Sequence, residues 1–176
     1  MIRTCIRDNL EALRQGLALL DDFSAEAYRE PVPECFGAAP GGHVRHIIEH
    51  YESLLGGVLS GRIDYENRPR DPAIERDPAE AARRIRCLMD RLDTLAGEHS
   101  DGLLLVRVET APSDARHPWA GSSLLRELEF LLSHTIHHYA LIAIMCRLQG
   151  RLLDPDFGVA PSTLRHRVKV QNLCAR

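Results

Sequence analysis

No stretch of this 176-residue chain is apolar over anything near the roughly 20 residues that a membrane span needs. Neither sign of charge prevails. Lys and Arg number 22 against 25 Asp and Glu, a formal net charge of −3, with a pI near 6.3. A global electrostatic attraction to nucleic acid is therefore not expected. Cysteine pairs at metal or redox spacing are missing too. The five cysteines (Cys5, Cys35, Cys87, Cys146 and Cys174) are scattered and odd in number, with no CxxC. They read as reduced thiols of a cytoplasmic protein, with Cys87 and Cys146 expected as small core residues. Nothing around them marks a lowered thiol pKa, which leaves no supported protein nucleophile. Repeats and low-complexity tracts are absent. Met1 to Asp22 carries charges throughout and no apolar block, so no signal peptide is expected there.

What remains is ordinary globular material, 44% hydrophobic and 27% charged, enough for a single domain with a core over 1–176. The apolar residues repeat at helical spacing. Ile2, Ile6, Leu10, Leu13, Leu17 and Leu20 predict a helix over 2–22. Val44, Ile47, Ile48, Tyr51, Leu54, Leu55 and Val58 predict a second over 41–60. Ala81, Ile85, Leu88, Leu92 and Leu95 give a third over 77–97. Asp77, Pro78 and Glu80 form its starting signal, a capping box. A fourth runs over 122–149, with Ser122 or Ser123 as cap and Gly150 as stop. Between them lie proline-bearing connections. Residues 24–40 and 61–76 read as loops, and Leu103 to Glu109 as a short extended segment. Residues 110–121 read as a connection holding Pro112 and Trp119, the only tryptophan. Trp119 is expected to plug the end of a core. From residue 150 to 176 the chain reads as an irregular, solvated basic tail. The expectation is an all-α four-helix bundle, its core about 2–149, with long crossover loops and a short extended segment before the last helix.

Six of the nine histidines fall in two of these helices. His134 and His138 are four apart on the last helix, with His137 three from His134, so the pair can offer two imidazoles to one ion. His43, His46 and His50 repeat the three-and-four spacing on the second helix. They occupy a sector of roughly 60° beside its apolar arc. By wheel geometry His43 and His50 lie nearer the arc's centre than His46. The other reading is a pair of histidine patches, partly solvated and partly hydrogen-bonded. Bundles build metal sites from facing helices, and three neutral imidazoles with an open fourth position suit a divalent ion of catalytic type. A carboxylate-bridged di-iron site fits poorly, since no Glu-x-x-His is present: Leu131 and Thr135 precede His134 and His138 by three. Haem has no attachment motif.

The entry Gly41-Gly42-His43-Val44-Arg45-His46-Ile47, followed by His134-x-x-His137-His138, resembles the DinB-like superfamily of metal-binding bundles over about residues 2–149. The resemblance implies a DinB-like four-helix bundle with His46, His134 and His138 as a histidine triad for a divalent metal (zinc, nickel, iron or manganese). It also implies a homodimer. The activity it implies is that of a metal-dependent enzyme on a small-molecule substrate, a thiol-dependent transferase using a low-molecular-weight thiol, or a hydrolase-like enzyme. The alternative is a non-catalytic metal- or ligand-binding bundle linked to stress. Ala39-Pro40 stands where the family has a Ser/Thr cap, and Tyr139 where an arginine often follows the pair. The register on the second helix is thus open between His46 and His50. His43, His50 and His137 are candidates for supporting partners, substrate contacts or alternative ligands. Tyr51 and Tyr139, one helical step from the histidines, read as core or rim rather than as acids.

Overall fold

The computed structural model describes residues 1–98, 102–108 and 117–174. In chain order its helices are α1 (Ile2–Asp21), α2 (Ala25–Arg29), α3 (Pro40–Gly57), α4 (Pro72–Arg76), α5 (Pro78–Glu98), α6 (Leu124–Leu148) and α7 (Pro161–Cys174). Three short strands, β1 (Arg62–Asp64), β2 (Leu103–Arg107) and β3 (Ala120–Ser123), make one sheet in that order. The protein is mostly α, and the four long helices α1, α3, α5 and α6 fall where the apolar stripes place them. None of the described helices is long and apolar enough to cross a membrane.

Each of α1 and α3 packs against both α5 and α6. That puts α1 and α3 on one diagonal of the bundle and α5 and α6 on the other. Two of the three long connections must therefore cross a diagonal, which accounts for their length. The core is built from the expected stripes: Ile6, Leu10 and Leu13 of α1, Ile47, Ile48 and Leu54 of α3, Ile85, Leu88 and Leu92 of α5, and Leu128, Leu131 and Ile142 of α6 are all buried.

Within this apolar core sits one polar junction. The Tyr51 hydroxyl donates to Asn9 Oδ1 at 2.7 Å. Asn9 Nδ2 donates to the Cys5 carbonyl at 2.8 Å and to the Leu128 carbonyl at 3.1 Å. Thr135 Oγ1 donates back to the Tyr51 oxygen at 3.3 Å. Asn9, Tyr51 and Thr135 are all buried. Each finds its partner on another helix, so the junction ties α1, α3 and α6 together in one rotational setting. Tyr139 is likewise a core residue, its hydroxyl donating to the Ala12 carbonyl at 2.9 Å.

The ends of α3 are held by close approach. A Cβ at Gly41 would strike the Glu75 carbonyl of α4, and one at Gly57 would strike the Arg62 carbonyl of β1. Gly57 is thus a docking point for the sheet, and α3 ends there rather than at Ser60. β1 pairs in parallel with β2, Ile63 opposite Val106, and β2 pairs antiparallel with β3, Leu105 opposite Gly121. Asp77 caps α5 by accepting from the Ala79 N–H at 2.9 Å. Glu80 does not complete a capping box, because it pairs with Arg83 instead. Ser123 caps α6, accepting from the Arg126 N–H at 3.3 Å.

Several expectations are corrected. The segment 24–40 holds the five-residue helix α2, which Ser24 caps and which ends before Pro31. The segment 61–76 holds β1 and α4, not a plain loop. The tail from 150 is not irregular throughout, since Pro161 starts α7. That helix has no apolar stripe and its described side chains are nearly all exposed, so periodicity could not mark it. Cys87 is exposed, because two residues on from Ile85 is about 200° around the helix. Cys5 and Cys146 are buried free thiols, both pushed up to about 11 chiefly by burial. The side chain of Cys174 lies outside the described residues. So do residues 109–116, with Glu109, Pro112 and most of the connection read at 110–121. Trp119 is no core plug. It is 37% exposed, with the Arg107 guanidinium 4.7 Å and that of Arg62 5.8 Å from its ring centre.

The junction yields the first prediction. Tyr51→Phe keeps the ring but leaves the buried Asn9 Oδ1 without a donor. It should cost about 1–3 kcal/mol of stability, read as a lowered denaturant midpoint with an unchanged slope. A variant as stable as the parent would show that the junction does not constrain the bundle.

Candidate metal centre

The bundle brings the two histidine clusters face to face, because α3 packs directly on α6. His46 of α3 and His134 and His138 of α6 each offer a ligand atom, and the three atoms lie within 4.8 Å of one another. The ring centres are 5.0 Å apart for His46–His134, 4.7 Å for His46–His138 and 4.5 Å for His134–His138. All three side chains are half-buried.

The other three histidines separate. His50 is buried, with its ring 4.3 Å from His46 and 4.6 Å from His134. It stands beside the triad but is not part of the three-atom group. His43 is half-buried on the far side of His138, at 5.0 Å between ring centres. Of the two histidines that the wheel put nearer the apolar centre, His50 is the one that is buried. His137 is exposed and lines a groove between α1, α6 and residues 159–165, with its ring 5.4 Å from that of His138 but outside the three-atom group.

Hydrogen-bond bookkeeping assigns the ring protons. A carbonyl only accepts, so the 2.7 Å contact between His50 Nδ1 and the His46 carbonyl puts the His50 proton on Nδ1. That leaves the Nε2 lone pair available. His43 and His138 meet through their Nδ1 atoms at 2.7 Å, one donating to the other. With His138 as the donor, its Nε2 lone pair is available too. His134 Nε2 is buried and has no hydrogen-bond partner. A buried polar atom without a partner costs about 1–3 kcal/mol, and a metal ion is a partner that would satisfy it. His46 differs, because Arg68 Nη1 stands 2.7 Å from its Nδ1. A donor set of three imidazoles fits a divalent transition ion.

The electrostatics agree with a neutral, deprotonated cluster. Burial is the largest cause in each case, and the neighbouring charges add to it. His46 is pushed down to about 2, also by His50, His138, Arg68 and His134. His138 falls to about 3, helped by His134, His43, His137 and His50. His134 falls to about 4, with His137 and Arg68 contributing. His50 falls to about 4 although its bond to the His46 carbonyl opposes the shift. His43 is lowered by burial and by His137.

Around the rings stands a wall that sequence reasoning did not find. Tyr65 stacks on His50 at 5.4 Å, and its hydroxyl donates to Glu127 Oε2 at 2.9 Å. Phe130 stacks on His134 at 5.3 Å. Phe130 lies four residues before His134, so the helical wheel held that signal. Tyr65 and Arg68 come from the segment after β1, where no periodicity points inward.

Comparison with known proteins adds the following. The family model described as the DinB superfamily matches residues 10–142. FK506-binding protein 5 of Rhizopus delemar is 33% identical over 104 residues, which is 59% of this chain and 27% of that protein. This chain thus spans well under half of that relative's length. No solved structure matches the chain.

The lowered histidines predict the pH dependence of the metal-free protein. Between the unfolded value near 6.5 and the folded values of about 4 and below, the unfolded state binds protons that the folded state refuses. Stability is thus full above 6.5 and is lost as pH falls. After chelation, the urea midpoint should drop from pH 7 to pH 5, and drop less in His138→Gln. A midpoint flat over that interval would contradict the burial of these rings.

Proposed function

This chain belongs to the DinB superfamily, and from that premise and the geometry above we propose that it binds a divalent metal ion through His46, His134 and His138. We propose further that it is a metal-dependent enzyme acting on a small molecule, with a low-molecular-weight thiol as co-substrate. The observation that carries the first step is the convergence of three imidazole ligand atoms from two helices within 4.8 Å, one ring having a buried nitrogen with no partner. Zinc, nickel, iron and manganese all suit nitrogen donors of this kind to differing degrees.

A divalent ion bound there supplies Lewis acidity to a thiol or water that reaches it, lowering that group's pKa. The chain's own residues set the conditions. His43 holds the ring of His138 through Nδ1, as supporting partners of metal ligands do. Tyr65 and Phe130 cover the rings of His50 and His134 and keep water from that side. His50 presents an Nε2 lone pair beside the triad, a hydrogen-bond acceptor for an arriving N–H, O–H or S–H group. Neither buried cysteine serves as nucleophile, since burial holds the Cys5 and Cys146 thiols protonated near neutral pH. Neither Cys35 nor the exposed Cys87 is among the residues that converge at the triad, and the nucleophile in this reading is exogenous. A homodimer and a cytoplasmic setting belong to the same proposal. The first is supported by Ile144 and Leu148, apolar and half exposed on α6. The second is supported by the free thiols Cys5, Cys35, Cys87 and Cys146.

Metal analysis tests the reading. The purified chain should hold about one divalent ion per protomer, and His134→Ala or His138→Ala should lose most of it. Full stoichiometry in His138→Ala would remove the pair from the site. Metal kept by His46→Ala and lost by His50→Ala would move the α3 ligand by one turn.

A further inference from the structure

A buried carboxylate is rare unless a cation accompanies it. Among the described residues only two carboxylates are buried, Glu49 at 0% exposure and Glu127 at 5%. Both stand beside the histidine cluster. Glu49 lies three residues after His46 and directly before His50 on α3, so it shares a helical turn with each. Glu127 reaches the cluster from α6. The Tyr65 hydroxyl donates to its Oε2 at 2.9 Å, and the Tyr65 ring stacks on His50 with 5.4 Å between centres.

No ion pair among the described residues includes either glutamate. Glu127 accepts from two hydroxyls, those of Tyr65 and Ser122. Glu49 Oε1 accepts from the Asp71 N–H at 2.8 Å, and its Oε2 is buried with no hydrogen-bond partner. Arg45, one turn before Glu49, pairs with Glu75 instead, and Arg68 stands on His46. Every hydrogen bond the two glutamates make is one that an ionised carboxylate accepts.

The histidines do not supply the missing positive charge, since burial drives them toward the neutral form. Three neutral imidazoles in turn compensate neither charge of a divalent ion. The cluster thus lacks an anion for its ion, and the two glutamates beside it lack a cation. Two carboxylates balance one divalent ion, and in a dry interior they act on it without touching it.

We propose that Glu49 and Glu127 are the charge-balancing residues of the metal centre: neither is a ligand, and their buried negative charges hold a divalent ion at His46, His134 and His138. The inference rests on the metal-binding reading above. It gives the two carboxylates opposite effects, a cost to folding in the empty protein and a gain in affinity for the ion.

That opposition is the test. Zinc affinity of the full chain is measured at pH 7 by competition with a chromophoric chelator, and the urea midpoint is measured on the chelated chain. Glu49→Gln and Glu127→Gln should each weaken zinc about tenfold, and the double variant about a hundredfold. Glu49→Asp and Glu127→Asp keep the charge and should lie nearer the parent. The metal-free midpoint of the Gln variants should stay at or above that of the parent, because a buried amide costs less than a buried unpaired carboxylate. A merely structural role would lower that midpoint together with the affinity, and this result would overturn the proposal. Unchanged zinc affinity in the double variant, or Asp variants as weak as the Gln ones, would overturn it as well and leave the metal reading standing. A folded parent chain that takes up no zinc would overturn both.

Discussion

The packing of α3 on α6 is the constraint on which the site depends, and the buried Tyr51–Asn9–Thr135 junction fixes it. Tyr51 follows His50 and Thr135 follows His134, so the junction residues of α3 and α6 are each one helical step, about 100°, from a histidine of the cluster. Rotating either helix by a step would bury imidazoles in the apolar core and strand the Tyr51 hydroxyl. The junction admits one setting because the Tyr51, Asn9 and Thr135 side chains are partnered in it. In that setting His46 and His50 face His134 and His138. The apolar stripes supply most of the stability of the bundle, but stripes of Leu and Ile tolerate small rotations. A buried polar network does not.

The same packing makes the site expensive. Five imidazoles share a small, largely dehydrated volume, and all five are driven toward the neutral form chiefly by burial, with neighbouring histidines and Arg68 adding to it. Neutral rings bring lone pairs, and lone pairs in a dry setting need donors. His138 meets His43, His50 gives its proton to a backbone carbonyl, and His46 accepts from Arg68. His134 Nε2 is left without a partner. Among the described residues other buried side-chain atoms also lack a partner, Gln15 Oε1 and Glu49 Oε2 among them, but His134 Nε2 is the one that lies where three ligand atoms converge. Sites that break local rules are where function is found.

Much of this was legible in the sequence. The Ile6–Leu10–Leu13 and Ile85–Leu88–Leu92 stripes marked their helices because a buried face repeats every three or four residues. Spacing also brought out both histidine clusters, and the resemblance singled out His46, His134 and His138 from them. What stayed hidden depends on contacts distant in sequence. Within residues 61–76, β1 and α4 dock on α3 where Gly57 and Gly41 admit the Arg62 and Glu75 carbonyls, and no local pattern encodes that. Trp119 read as a plug because its size suggests burial, yet two arginines reach it, Arg62 from β1 and Arg107 from β2. Arg68 sat in a charged stretch that looked like solvated loop, and only the fold places it on His46.

These two kinds of legibility divide the site by origin. The metal donors come from α3 and α6, the regular elements whose register the core dictates. Tyr65 and Arg68 come from the segment following β1, which is held by strand pairing with β2 and by the ends of α3. A change in that segment alters what surrounds the ion without disturbing the stripes that hold the bundle together. Helices must keep their period to keep their core, whereas a crossover needs only its anchor points. Under the proposed reading, the bundle therefore fixes where a metal ion sits, and the crossover fixes which side chains stand against the histidine rings, Tyr65 on His50 and Arg68 on His46.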